Sequence, residues 1–348
     1  LHDWYPPTVE NRPFVRWWWH GSAVDSVGLT YNLEEFARKG LGGVEITPIY
    51  GVRGNEANDI DFLSPKWMDM LGHTIAEGDR LGLQIDMNNG TGWPFGGPGV
   101  GTRHSARKQV VETWTAAPGH KLTAKIVTRD SMQRTVATLQ AVVAVNGDKR
   151  VDITRHVGRD TVLNWKAPKA KGDWTVYAIF SGRTFQKVKR AAPGGEGLVL
   201  NHYDSIAVRH YLARFDSAFS KSGCKVPNTF FNDSYEVYGS DWADNILDEF
   251  YRDHGYRLEL YIPEFLDAQI HNELRSRVIR DYRYTLDRML RENFTDVWGA
   301  YAHAHGARIR NQSHGSPANI IDLYAAVDIP ECESFGQSKF NIPGLNQD

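Results

Sequence analysis

Sulfur, net charge and long apolar runs are all scarce in this chain, and each scarcity closes off a class of function. Only two cysteines occur among 348 residues, Cys224 and Cys332. They lie far apart and show no metal-ligand spacing, so neither a disulfide framework nor a cysteine metal site is encoded. Cys332, between two glutamates, reads as a packed strand residue rather than a nucleophile. Lysines and arginines number 40 against 42 aspartates and glutamates, a net charge of −2. Without a basic block, a nucleic-acid surface is not expected, because such surfaces cluster their cations. No stretch reaches the ~20 apolar residues that span a bilayer, so no membrane insertion is expected either. The chain opens Leu1-His2-Asp3-Trp4, without Met or a secretory leader. That reads as a processed or excised piece, and the residues alone do not place it in a compartment.

What is plentiful is aromatic: 11 Trp, 15 Tyr and 15 Phe. Flat apolar rings fill cores and also stack on sugar C–H faces, so they tilt the reading toward carbohydrate without deciding it. Strand-like runs and helical patterns alternate from the start. Phe14-Val15-Arg16-Trp17-Trp18-Trp19, Gly43-Val44-Glu45-Ile46-Thr47-Pro48 and Leu83-Gln84-Ile85-Asp86-Met87-Asn88 read as strands. Between them a helix is expected over Leu29–Lys39, capped by Thr30 or Asn32, and another over Ser64–Leu81, with Ser64-Pro65 as cap and first-turn proline. From about 105 to 200 the pattern changes to short alternating runs separated by turns such as Asn146-Gly147-Asp148, which predicts a β-rich insertion, a small sandwich.

The first rhythm then resumes. Helices are expected over 203–222, 241–254, 267–303 and 317–326, and strands over 230–236, 258–264, 307–312 and 328–333. Strand–helix alternation implies right-handed crossovers and a parallel sheet. The expected architecture is α/β: a (β/α)₈ barrel in residues 1–104 and 201–348, cut short after a seventh strand, with an all-β insertion at 105–200 after the third.

Two acidic stretches close β-prone runs: Asn232-Asp233-Ser234-Tyr235-Glu236 and Pro330-Glu331-Cys332-Glu333-Ser334-Phe335. A glutamate at a strand end is placed to face a cleft. Two of them on separate strands are the minimum for cleaving a glycosidic bond, one protonating the leaving oxygen and one activating water or attacking. In a barrel, active groups gather at the strands' C-terminal ends. Those ends supply His20, Glu45, Asn88, Asn89, Asn232, Asp233, Glu236, Glu264, Gln312, His314, Glu331 and Glu333, with Trp93 in a glycine-rich turn. We expect Glu236 and Glu333 to be catalytic, Glu331 to support Glu333, bind substrate or ligate a cation, and the others to contact substrate. The bland alternative for Glu236 is an ion pair with Arg310 or Arg53. His303-Ala304-His305, with His314, offers a rival: a metal-dependent hydrolase with His-bound zinc. A sugar-binding barrel without turnover is a third reading.

Four segments together resemble glycoside hydrolase family 106, the α-L-rhamnosidases of bacterial polysaccharide degradation. They are Arg12-Pro13-Phe14-Val15-Arg16-Trp17-Trp18-Trp19-His20-Gly21, the glycine-rich Asn89–Pro98, Asp233-Ser234-Tyr235-Glu236 and Asp328–Phe335. The resemblance runs from about Arg12 to Phe335. It implies a (β/α)₈ catalytic domain, removal of terminal α-L-rhamnose with inversion, and a calcium ion near the rhamnose subsite. It also implies a periplasmic or extracellular setting. Carried over by motif, Glu236 is the general acid and Glu333 the base. Inversion requires carboxyl groups about 6.5–9.5 Å apart, whereas a retaining enzyme of another sugar class needs about 5–5.5 Å.

Overall fold

Strand β1 (Phe14–His20) shows how the chain divides its faces. Alternate side chains point to opposite sides, so Trp17 packs outward on Phe36, ring centroids 5.5 Å apart, and Trp19 on Trp67 at 5.7 Å. Phe14, Arg16, Trp18 and His20 take the other face. Parallel to β1 lie β2 (Gly43–Ile49), β3 (Gln84–Asn88), β4 (Thr229–Asn232), β5 (Arg308–Gln312) and β6 (Ile329–Glu331), paired in that order. All of β2 is buried, as expected for a strand covered on both faces. Gly43 is required there: a Cβ would stand 2.3 Å from the Phe14 ring and 2.4 Å from the Gln84 carbonyl.

The helices stop and start where capping chemistry allows. Helix α1 (Ser26–Arg38) begins at Asp25, whose carboxylate accepts the Gly28 N–H at 2.8 Å, rather than at Thr30 or Asn32. Helix α2 (Pro65–Leu81) has the expected Ser64 cap, accepting from Trp67 N at 3.3 Å, and ends at left-handed Gly82. Helix α3 (Ser205–Ser222) is capped by Asp204 and ends at Gly223. The long helix expected over 267–303 is instead helix Glu273–Leu290, a wider π-type turn at Arg291–Thr295 and α4 (Asp296–Ala304). Short α5 (Ile320–Ala325) precedes β6.

The computed structural model describes residues 7–333; residues 334–335 of the second acidic stretch lie outside them. Among the described residues the chain forms two compact units. One comprises 7–105, Phe185–Val237 and 290–333, and holds the parallel sheet. The other comprises Ala106–Thr184 and Tyr238–Met289. Residues 185–200, read from sequence as part of the β-rich insertion, lie in the first unit, and 238–289, read as part of the barrel, in the second.

The second unit contains a four-stranded antiparallel sheet, in which Trp174–Arg183 lies between Arg107–Ala116 and Thr138–Asn146, with Lys149–Asp152 at one edge. Lys121–Lys125 pairs with Val162–Lys166. Val142, Val176, Trp174, Trp165 and Phe180 fill the core of this unit. Its second segment is helical, and here one expectation fails. The strand expected over 258–264 is a 3₁₀ turn, Leu258–Tyr261, followed by the short helix Ile262–Leu266. Pro263 explains it. Proline cannot donate to a central ladder but suits a first helical turn. The parallel sheet therefore has six described strands rather than seven, and closure into a truncated barrel is not part of the observed topology.

That sheet is nonetheless not flat. Six strands spaced ~4.8 Å apart would hold β1 and β6 roughly 24 Å apart. Arg16 on β1 instead reaches Glu331 on β6 at 3.4 Å. The sheet curls until its first and last strands share one interior.

Candidate active site

The interior of the curl is built around two arginines. An arginine within an apolar strand is expensive unless its charge is met, and Arg16 meets three acids, two on strands β2 and β6 and one just after β4. Its Nε donates to Glu45 Oε1 at 3.0 Å, Nη1 to Asp233 Oδ2 at 2.8 Å and Nη2 to Glu331 Oε1 at 3.4 Å. Its guanidinium also lies 4.6 Å from the Phe231 ring centroid. Arg310 on β5 donates to Asp86 Oδ2 at 2.7 Å and stands 3.8 Å from Glu45 and 3.6 Å from Glu331. Two guanidinium charges thus face four carboxylates in a nearly dry space. The imbalance shows in Glu45: burial, reinforced by Glu331, pushes its carboxyl up to about 8, although Arg16 and Arg310 pull the other way. Burial likewise raises Asp86 to about 6, with Arg310 opposing.

The mouth lies at the C-terminal ends of these strands. Glu331 accepts from Gln312 Nε2 at 2.7 Å, besides meeting both arginines. Asn232 donates to Asn311 Oδ1 at 2.7 Å, and Asp233 accepts its neighbour's N–H, Ser234 N, at 2.7 Å. Glu333 is half-buried. Burial raises its carboxyl, Asp233 and Glu236 raise it further, and His314 and Arg16 oppose. Glu236 acts electrostatically on Glu333, and Arg16 draws their two stretches together by bonding Asp233 in one and Glu331 in the other. Glu236 pairs with Lys189 rather than with Arg310 or Arg53. Its backbone carbonyl accepts from Gln186 at 2.6 Å.

Aromatic groups form the rim. Trp18 and Trp93 lie 6.4 Å apart, and His20 is exposed at the end of β1, 5.9 Å from Tyr50. A separate cleft of about 330 Å³ opens between the end of β1 and the start of α1, lined by Trp17, Trp18, Trp19, His20, Asp25 and Asn32 among others; none of the interior acids lines it. Asn88 holds the glycine-rich turn, donating to Gly92 O at 2.8 Å. Among the described residues, the buried acceptors Asn88 Oδ1 and Gln312 Oε1 have no partner. Such atoms are costly unless a guest donates to them, as sugar hydroxyls can.

Three expectations need correction. Glu264 does not end a strand of the parallel sheet: it lies on the short helix Ile262–Leu266 of the second unit, where Arg150 grips it, donating to Oε2 at 2.7 Å. Asn89 turns into the core, its side chain accepting from Trp298 at 2.9 Å and its carbonyl from Tyr211 at 2.7 Å. Cys332 is exposed rather than packed.

The histidine metal site also fails. His303 pairs with Asp328 at 2.9 Å, and Asp328 accepts from Ile309 N near the start of β5. His305 meets Asp216 at 3.1 Å, whereas His314 follows the far end of β5. A five-residue strand is roughly 16 Å long, so these imidazoles cannot share one ion. Among the described residues no three His, Cys, Asp or Glu side chains converge to hold a metal. No described helix is long and apolar enough to cross a membrane.

Sequence reading missed Arg16, Asp86 and Lys189. The first two carried a signal, each being a charge within an otherwise apolar strand. Lys189 carried none, because its position follows from how residues 185–200 return to the first unit.

Comparison with known proteins gives the family. A putative beta-glucuronidase of Formosa agariphila is 25% identical over 381 residues, covering 96% of this chain and 32% of that protein. A rhamnosidase structure from Novosphingobium sp. PP1Y superposes with a TM-score of 0.75 at 16% identity, over 97% of this chain and 50% of that one. The chain thus spans about a third to a half of these relatives' lengths. The glycoside hydrolase family 106 model, described as alpha-L-rhamnosidase, matches residues 5–132 and 121–341. With that match across nearly all its length, the chain belongs to glycoside hydrolase family 106.

Proposed function

We propose that this protein releases terminal α-L-rhamnose from a glycan by single displacement with inversion, at a mouth formed by a sheet curled as part of a (β/α)₈ barrel. One observation carries the reading: Arg16 bonds Asp233 at 2.8 Å and Glu331 at 3.4 Å, which draws together the two acidic stretches that hold Glu236 and Glu333. In the proposed step Glu236 gives its proton to the glycosidic oxygen as the C1–O bond breaks. Water attacks C1 from the opposite face and passes its proton to Glu333. The raised affinity of Glu333 for protons suits a base working near neutral pH. Trp18, Trp93 and His20 border the sugar, and Asn88 and Gln312 offer acceptors to its hydroxyls. Glu331, held by two arginines and Gln312, is a positioning residue that keeps the strand before Glu333 in place.

One observation favours a second assignment. An ammonium against Glu236 supports its charged form, and the environment of Glu333 supports its neutral form. With those charges kept, the two residues exchange roles.

Leaving-group dependence separates the assignments. A variant lacking the acid retains activity on aryl rhamnosides whose leaving group needs no proton, while a variant lacking the base loses it throughout. We expect the full-length protein to cleave p-nitrophenyl α-L-rhamnoside in preference to p-nitrophenyl β-D-glucuronide. Glu236→Gln should keep most of its rate on a dinitrophenyl rhamnoside, while Glu333→Gln should not. Cleavage of the glucuronide alone would overturn the rhamnosidase reading, and the reverse variant pattern would exchange the roles.

A further inference from the structure

Helix α4 is entered through the π-type turn Arg291–Thr295. Turns of this kind close each hydrogen bond one residue later than an α-helix does, and they recur at functional sites. Phe294 anchors this one, its ring nearly parallel to Trp298 at 5.9 Å and edge-on to Phe95 at 5.5 Å. The next residue, Thr295, is 1% exposed. A threonine inside a helix ordinarily satisfies its hydroxyl on a carbonyl of the preceding turn. Thr295 Oγ1 is buried and bonds to no group among the described residues.

Thr295 lines a small cavity with Gln312, Ser313, Ser316, Leu290 and Leu323. About 10 Å³ there is open to the centre of a water molecule, which is the room of one. Two more buried polar atoms of that lining, Gln312 Oε1 and Ser316 Oγ, likewise have no partner among the described residues. Both residues are fixed from elsewhere. Gln312 ends β5, and the loop after it is held by Ser316 N donating to Ser313 O at 3.2 Å and Tyr235 N to His314 O at 2.8 Å. A buried water makes about three hydrogen bonds to groups of this kind. Two hydroxyls and one amide carbonyl are what it would meet here.

We propose that Thr295, Ser316 and Gln312 bind one ordered water, and that through it Thr295 is a positioning residue for the base. The inference rests on Glu333 being that base. The water donates to Gln312 Oε1, which fixes the amide so that Nε2 donates to Glu331 Oε1 at 2.7 Å. Glu331 in turn keeps the strand before Glu333 in place. Turned over, the amide would set its oxygen against a carboxylate. The hydroxyls of Thr295 and Ser316 each donate and accept, so they orient the water toward Gln312. The Gln312 oxygen has two lone pairs, and the second remains for a sugar hydroxyl.

A high-resolution crystal structure of the full-length protein and the kinetics of three variants test this. Density for one water, within hydrogen-bond distance of Thr295 Oγ1, Ser316 Oγ and Gln312 Oε1, is expected in the wild type and in Thr295→Ser. It should be missing in Thr295→Val, which keeps the shape without the hydroxyl. Thr295→Val should lower kcat on a dinitrophenyl rhamnoside about fivefold, the scale of one hydrogen bond, with KM unchanged. Thr295→Ser should restore it. That substrate needs no acid, so a loss there lies on the base side. Ser316→Ala, on the loop rather than the helix, should give a smaller loss of the same kind, and it keeps the test readable if valine is not tolerated at 295. No density between the three oxygens in the wild type, or wild-type kcat in both Thr295→Val and Ser316→Ala, would overturn the proposal. Contacts of about 2.4 Å would identify a cation instead and overturn it as well. Failure on every rhamnoside removes the rhamnosidase reading, and the density then decides the water site by itself.

Discussion

Arg16 is the residue on which the interior most depends. Glu45 and Asp233, each 4% exposed at the side chain, both bond to it. Removing one partner from a buried ion pair leaves the other charge uncompensated, at about 3–5 kcal/mol. Arg16→Leu should therefore lower stability in urea by about 3 kcal/mol or more. A loss below about 1 kcal/mol, the scale of an exposed pair, would show that these acids do not rely on it. Arg16→Lys should not restore the wild type, because one ammonium cannot reproduce a fork aimed at three carboxylates. Glu45 provides a second prediction. Its carboxyl is ordinary in the unfolded chain but raised to about 8 in the fold, so between those values the fold holds a proton that the unfolded chain has released. Its contribution must fall as pH rises through that window. Glu45→Gln, which mimics the protonated form, should flatten the decline in Tm between pH 5 and 8; an unchanged slope would place the titration elsewhere.

At the scale of elements, the two glycine contacts are the sharpest points. Gly43→Ala should destabilise the fold by about 1–3 kcal/mol, because the added methyl meets a ring and a carbonyl that both belong to neighbouring strands. Gly92→Ala acts differently: a Cβ there would stand 1.9 Å from the Lys189 carbonyl, so it pushes the Lys189 backbone away from Trp93. The expected result is a folded protein, by near-ultraviolet circular dichroism, with a raised KM on rhamnosides; wild-type KM would mean that the Lys189 segment does not border the site. These same elements show what sequence could reveal. Apolar runs bounded by glycine and capping residues marked all six parallel strands and Ser64-Pro65 at the start of α2, because those signals are local. The 258–264 run misled because its apolar content outweighed Pro263, whose missing N–H favours a helical turn. Of the site, the two acidic stretches were legible since each ends a β-prone run. The pairing of Arg16 with Glu331, and of Lys189 with Glu236, was not, because it depends on sheet curl and on the return of a distant segment.

For the whole molecule, membership of a glycoside hydrolase family, the curled parallel sheet and the electrostatic coupling of Glu333 to Glu236 all support the proposed hydrolysis of a sugar. Each depends on a different property of the chain: long motifs, strand order and electrostatic coupling. None of them alone determines stereochemistry. What joins them is the claim that water attacks directly at C1, with one carboxyl on each side of the ring. Proton NMR of the full-length protein acting on p-nitrophenyl α-L-rhamnoside tests this most directly, by following which anomer of free rhamnose appears first. Single displacement predicts the β-anomer at the outset, with the α-anomer growing later by mutarotation. Initial release of the α-anomer would mean a covalent sugar–enzyme intermediate and would contradict the assignment of Glu236 and Glu333 as acid and base across a single water.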